Sequence, residues 1–98
     1  MLNQIVLAGR LVSLPVQVDD APVSNATYRA TMELEDERTG LQSIDIYLWP
    51  QVAESMKGQY SEGTVIGLRG YLKNHNGLLT VITQRISFVT PQEDADHD

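Results

Sequence analysis

Tyr47 and Trp49 stand two residues apart in the stretch QSIDIYLW, residues 42–49. They are the side chains whose types and spacing most suggest chemistry. Side chains of an extended strand alternate, so Ile44, Ile46 and Leu48 share one face and Ser43, Asp45, Tyr47 and Trp49 the other. The aliphatic row reads as core. The aromatic row has two readings. Tyr and Trp anchor buried contacts between elements or subunits. They also form platforms on which the bases of single-stranded nucleic acid stack, each contact contributing about 1–3 kcal/mol, while basic side chains track the backbone. Spacing alone leaves both open. If the preceding strand pairs antiparallel with this one, Arg29 and Thr31 line the same face. Arg10 and Lys73 can flank it from the first strand and the last hairpin, and Tyr71 on the fourth strand completes the candidate set.

Other chemistry has little to stand on. His75 falls in a turn with no cysteine, aspartate or second histidine near it in sequence and reads as solvated, and His97 falls in the acidic tail. Asp19-Asp20 and the run Glu35-Asp36-Glu37 lack the spaced oxygen ligands and the glycine of a calcium loop and read as solvated charge. Gly67-Leu68-Arg69-Gly70 is not a phosphate loop, because no helix opening on Lys-Ser/Thr follows it. No enzyme, metal or cofactor is expected.

The formal net charge of −6 argues against a nucleic-acid binder until its distribution is considered. Glu93, Asp94, Asp96 and Asp98 crowd the last seven residues; without them seven basic and nine acidic side chains remain, a balance of −2. The expectation is one domain over residues 1–90 and an acidic tail over 91–98, too polar to fold alone. The absence of cysteine excludes disulfides and thiolate metal sites and is compatible with a reducing cytoplasm. No apolar run approaches the roughly 20 residues of a membrane-spanning helix, and the N-terminus reads as a strand rather than a signal peptide.

The elements that must position the aromatic pair follow from periodicity. Residues 3–12 read as a strand with Gly9 at a bend, 26–35 as a second alternating strand, and 36–40 as a hairpin turn. Between the first two strands, residues 13–25 form an irregular excursion with a short strand at Val16–Val18. Pro50 ends the third strand, residues 51–63 carry helical spacing, and 64–72 and 78–89 are strands about a turn at 73–77, in which Asn76-Gly77 is the hairpin signal. Five strands with one helix between the third and fourth is the order of an all-β OB-fold, a five-stranded Greek-key barrel. The glycines at 9, 67 and 70 fit strongly curved strands; a generic α+β sandwich is the rival.

These residues resemble the bacterial single-stranded DNA-binding protein (SSB) family. MLNQIVLAGRL is similar to its first strand, and QSIDIYLWPQVAE to its third strand running into the helix. YSEGTVIGLRGYL resembles the helix exit and fourth strand, and LTVITQRISFV the fifth. The resemblance implies an OB-fold that assembles through its first strand into homodimers or homotetramers. It implies binding of single-stranded DNA, or RNA, without cofactor, in replication, recombination or repair, in the cytoplasm at the nucleoid. Trp49 matches a stacking aromatic and Arg10 a basic strand residue. Ser43, Asp45 and Glu37 depart from aromatic or basic positions, the hairpin KNHNG is short, and the tail lacks a Pro-Phe tip. These departures imply weak or conditional binding. They also bring in the PriB-type primosomal proteins, and with them the alternative of an OB-fold interaction module contacting replication proteins.

Overall fold

The computed structural model describes the backbone of residues 1–90 and the side chains of residues 1–87; the expected acidic tail, 91–98, lies outside the described residues. Alternating apolar and polar residues produce strands β1 (Ile5–Leu11), β3 (Tyr28–Asp36), β4 (Gly40–Leu48), β5 (Val65–His75) and β6 (Leu78–Thr90). The excursion after β1 contributes the two-residue strand β2 (Val16–Gln17). The sheet runs β1-β5-β6-β4-β3-β2 and closes where β1 pairs with β3 at Arg10↔Glu33 and Leu11↔Met32. All pairings are antiparallel except β4 with β6, where Ile46, Tyr47 and Leu48 lie beside Val81, Ile82 and Thr83. The result is the OB-fold expected from the strand order, with β2 as a small addition.

The barrel interior takes one face of each strand. Leu11, Met32, Ile46, Leu48, Ile66 and Leu68 are essentially inaccessible to solvent, and α1 (Pro50–Gln59) plugs the barrel with Ala53 and Met56. Pro50 does more than end β4. It occupies the first turn of α1, where a missing N–H has no cost, and the Trp49 carbonyl accepts the Ala53 N–H at 2.9 Å. The helix stops four residues short of Gly63, where Tyr60 turns extended and donates its N–H to the Met56 carbonyl at 2.8 Å. Tyr28 ties helix to barrel: its hydroxyl donates to Glu54 at 3.0 Å, and Lys57 sits 5.8 Å from the ring centroid.

Two glycines permit the closure. A Cβ on Gly9 would collide with the Glu33 carbonyl where β1 crosses β3, and one on Gly70 with the Ile82 carbonyl of β6. The expected turn at 73–77 is tighter than its sequence suggests. β5 continues through His75, and only Asn76 and Gly77 turn, both in the left-handed region at φ 53° and 84°. That pair of conformations is the two-residue hairpin turn favoured by strand twist. Among the described residues no helix is long and apolar enough to cross a membrane.

Candidate nucleic-acid interface

Register places the candidate residues. Arg29 lies opposite Tyr47 and Thr31 opposite Asp45, so these four share the outer face of β3 and β4 as the sequence suggested. On the other side Tyr47 neighbours Ile82, which pairs with Tyr71. The same hairpin places Lys73 beside Thr80, whose hydroxyl donates to the Lys73 carbonyl at 2.7 Å.

This face is not an open aromatic platform. Tyr47 is only 7% exposed: with Ala26 and Ile82 it forms a small outer cluster, against which Val18, Val23 and Tyr71 pack. The excursion between β1 and β3 therefore folds over the ring rather than projecting into solvent. Trp49 has left the strand. β4 ends at Leu48, and Trp49, 38% exposed, is the residue that caps α1. The Tyr47–Trp49 row is thus split into a covered ring and an accessible one. Thr31 is committed too, its hydroxyl donating to Asp45 at 2.9 Å.

What remains open is a recess of about 630 Å³. The loop residues Val18, Asp19 and Asp20 form one wall and the hairpin residues His75, Asn76 and Leu78 to Thr80 the other, over a floor of Arg29, Asp45 and Tyr47. Its charge is mixed: Arg29 is the one permanent cation among the lining residues, facing Asp19, Asp20 and Asp45. Arg10 does not reach this recess. It donates to the Gly63 carbonyl at 3.2 Å and lines a separate hollow of about 210 Å³ with Glu33, Glu35 and Leu41. The sequence reading set Asp20 aside as solvated charge, dismissed His75 as a turn residue and used Asn76 only as a turn signal, yet the three meet across the recess: Asp20 lies 3.3 Å from the His75 ring nitrogen and accepts from the Asn76 amide at 3.3 Å. Only the strand reaching His75 could have announced that contact.

An OB barrel with a groove between its first-to-second-strand loop and its last hairpin is the class that fold and site define. Known structures share the fold over most of their length. The chain is similar to the dimeric N-terminal domain of PriB from Thermoanaerobacter tencongensis, with a TM-score of 0.70 over 92% of this chain and 98% of that one, at 20% identity. It is similar to the mitochondrial single-stranded DNA binding protein Rim1 of S. cerevisiae, at a TM-score of 0.70, 93% and 97% coverage and 13% identity. It is also similar to a small single-stranded DNA binding protein from Mycoplasma pneumoniae, at a TM-score of 0.63, 90% and 88% coverage and 22% identity. No protein-family model and no curated protein sequence matches the chain. The fold is therefore that of the SSB and PriB structures, at 13–22% sequence identity.

Proposed function

We propose that this protein binds single-stranded nucleic acid in the manner of a small SSB, as a homo-oligomer serving DNA replication, recombination or repair in the cytoplasm. One observation carries the reading: the large recess lies on the second and third barrel strands between the two loops that bind oligonucleotides in OB-folds. The names of the similar structures support it, since two of them are single-stranded DNA binding proteins. In this reading Trp49 supplies the stacking surface and Arg29 a phosphate contact, with Lys73 and Tyr71 on the adjoining hairpin. Arg10 and Thr31 take a supporting place, and Tyr47 holds the floor. Assembly uses the Ile5–Gly9 edge of β1, unpaired among the described residues on the side away from β5, where Val6 is 65% exposed. A second copy related by a twofold axis extends the sheet across that edge.

The test is a titration with oligo-dT read by the fluorescence of Trp49, the single tryptophan. Quenching that weakens with added salt along a shallow slope supports the proposal, because few phosphates are contacted. An emission indifferent to strand and salt overturns it.

A second reading, an OB-fold module that docks a replication protein, is favoured by the cover over Tyr47 and the three carboxylates around the recess. Such a partner would present a basic surface, and an unresponsive, blue-shifted Trp49 would speak for it.

A further inference from the structure

We infer that Arg69 and Arg85 form a phosphate seat outside the recess, on the outer face of the β1–β5–β6 sheet, over which the backbone of a bound single strand runs. The inference rests on the single-strand reading above and adds a site to it. Arg69 and Arg85 are direct partners across β5 and β6, and both are exposed. Like charges placed opposite each other in a sheet repel. Of the five other Lys and Arg side chains, three have partners: Arg38 has Asp36 at 3.1 Å, Lys57 has Glu54 at 3.9 Å, and Arg10 has a carbonyl. Among the described residues neither Arg69 nor Arg85 has an ion pair or side-chain hydrogen bond.

The fold departs from regular pairing to bring them together. From the Asn76-Gly77 turn the β5–β6 register runs evenly to Gly70↔Thr83, and one further step would set Arg69 against Gln84. A bulge at that step sets it against Arg85 instead, and a second bulge follows between Leu68 and Gly67. Bulges re-aim side chains, and here the outcome is two adjacent guanidinium forks. Such forks match phosphate oxygens in pairs, which a point-charge ammonium does not. The pair opens on a recess of about 240 Å³ that Ser87 and Ile86 complete. Arg85 also lines a hollow of about 370 Å³ with Gln84 and Gln51, two residues past Trp49. That hollow runs along α1 from Gln51 to Tyr60, so the seat adjoins the helix that Trp49 precedes, and in this proposal one strand stacks on Trp49 and lays its phosphates on the arginines.

The test compares the unaltered chain with the double variant Arg69→Gln/Arg85→Gln by anisotropy of labelled oligo-dT over a range of sodium chloride. Two lost phosphate contacts should lower the logarithmic salt slope by about 1.4, with affinity at low salt down about tenfold. Arg69→Lys/Arg85→Lys should keep the slope and lose affinity. Thermal melting of the glutamine variant should be unchanged or higher, since a repulsion is removed, and this confirms an intact fold. Equal affinity and slope in the unaltered and glutamine proteins overturns the seat alone. No binding by the unaltered protein at the lowest salt overturns the single-strand reading and the seat with it.

Discussion

Asp20 and His75 meet across the recess, carboxylate oxygen to ring nitrogen at 3.3 Å, and the Asn76 amide reaches the other oxygen of the same carboxylate. One contact thus joins the loop before β3 to the β5–β6 turn. The Asp20 side chain is 77% exposed, and surface pairs of this kind contribute roughly 0–1 kcal/mol. Its weight falls on access to the recess rather than on stability. Asp20→Asn removes a negative charge from the wall facing Arg29. Affinity for oligo-dT should rise severalfold by anisotropy while the melting temperature stays put; a loss of affinity would mean that the carboxylate assists binding.

The two aromatic residues should separate cleanly on mutation. Trp49→Ala should weaken strand binding by about 1–3 kcal/mol with the fold intact. Tyr47→Ala should instead cost roughly 3–5 kcal/mol of folding stability, because it empties the cluster formed with Ala26 and Ile82. Urea unfolding alongside oligonucleotide titration of both variants distinguishes these effects. Unchanged affinity in Trp49→Ala would remove Trp49 from the site.

Glycines at two places should respond with opposite signs. Gly70→Ala drives a methyl into the Ile82 carbonyl, a backbone atom with no room to yield, and should destabilise by about 1–3 kcal/mol. Gly58, inside α1, has nothing within 4 Å of its added methyl. Gly58→Ala should therefore gain up to about 1 kcal/mol from helix propensity. Chemical denaturation midpoints measure both.

Acid should be felt at the β3–β4 turn. Arg38 donates from its guanidinium and its backbone N–H to Asp36, and these bonds hold the carboxyl below its ordinary range. A lowered folded value means that the contribution is present above the unfolded carboxylate range and disappears as pH falls through the folded value. Carbon-detected NMR titration should find Asp36 below its ordinary value in the intact chain, and raised toward it in Arg38→Ala.

The alternation in residues 26–35 and 42–48, the charged turn between them and the Asn-Gly turn were enough to place the strands and the register that aligns Arg29 with Tyr47. What the sequence could not convey depends on distant partners. Val18, Val23 and Ala26 are scattered among prolines, aspartates and serines, so nothing local says that they roof Tyr47. The boundary at Trp49 was misplaced because its alternation continues that of β4, while Pro50 favours starting a helix there. The facing arginines depend on a one-residue bulge, and an even count back from the turn puts the wrong residue opposite Arg69.

The parallel contact of β4 with β6 has a temporal consequence. Residues 46–48 find their neighbours only at 81–83, so the barrel cannot close until nearly the whole described chain is present. Until then Ile46 and Leu48 lack one of their walls, and a pairing this distant in sequence is slow to form. A nascent chain interrupted before Val81 would be a sticky half-shell, recognisable to chaperones and proteases long before it could hold a ligand.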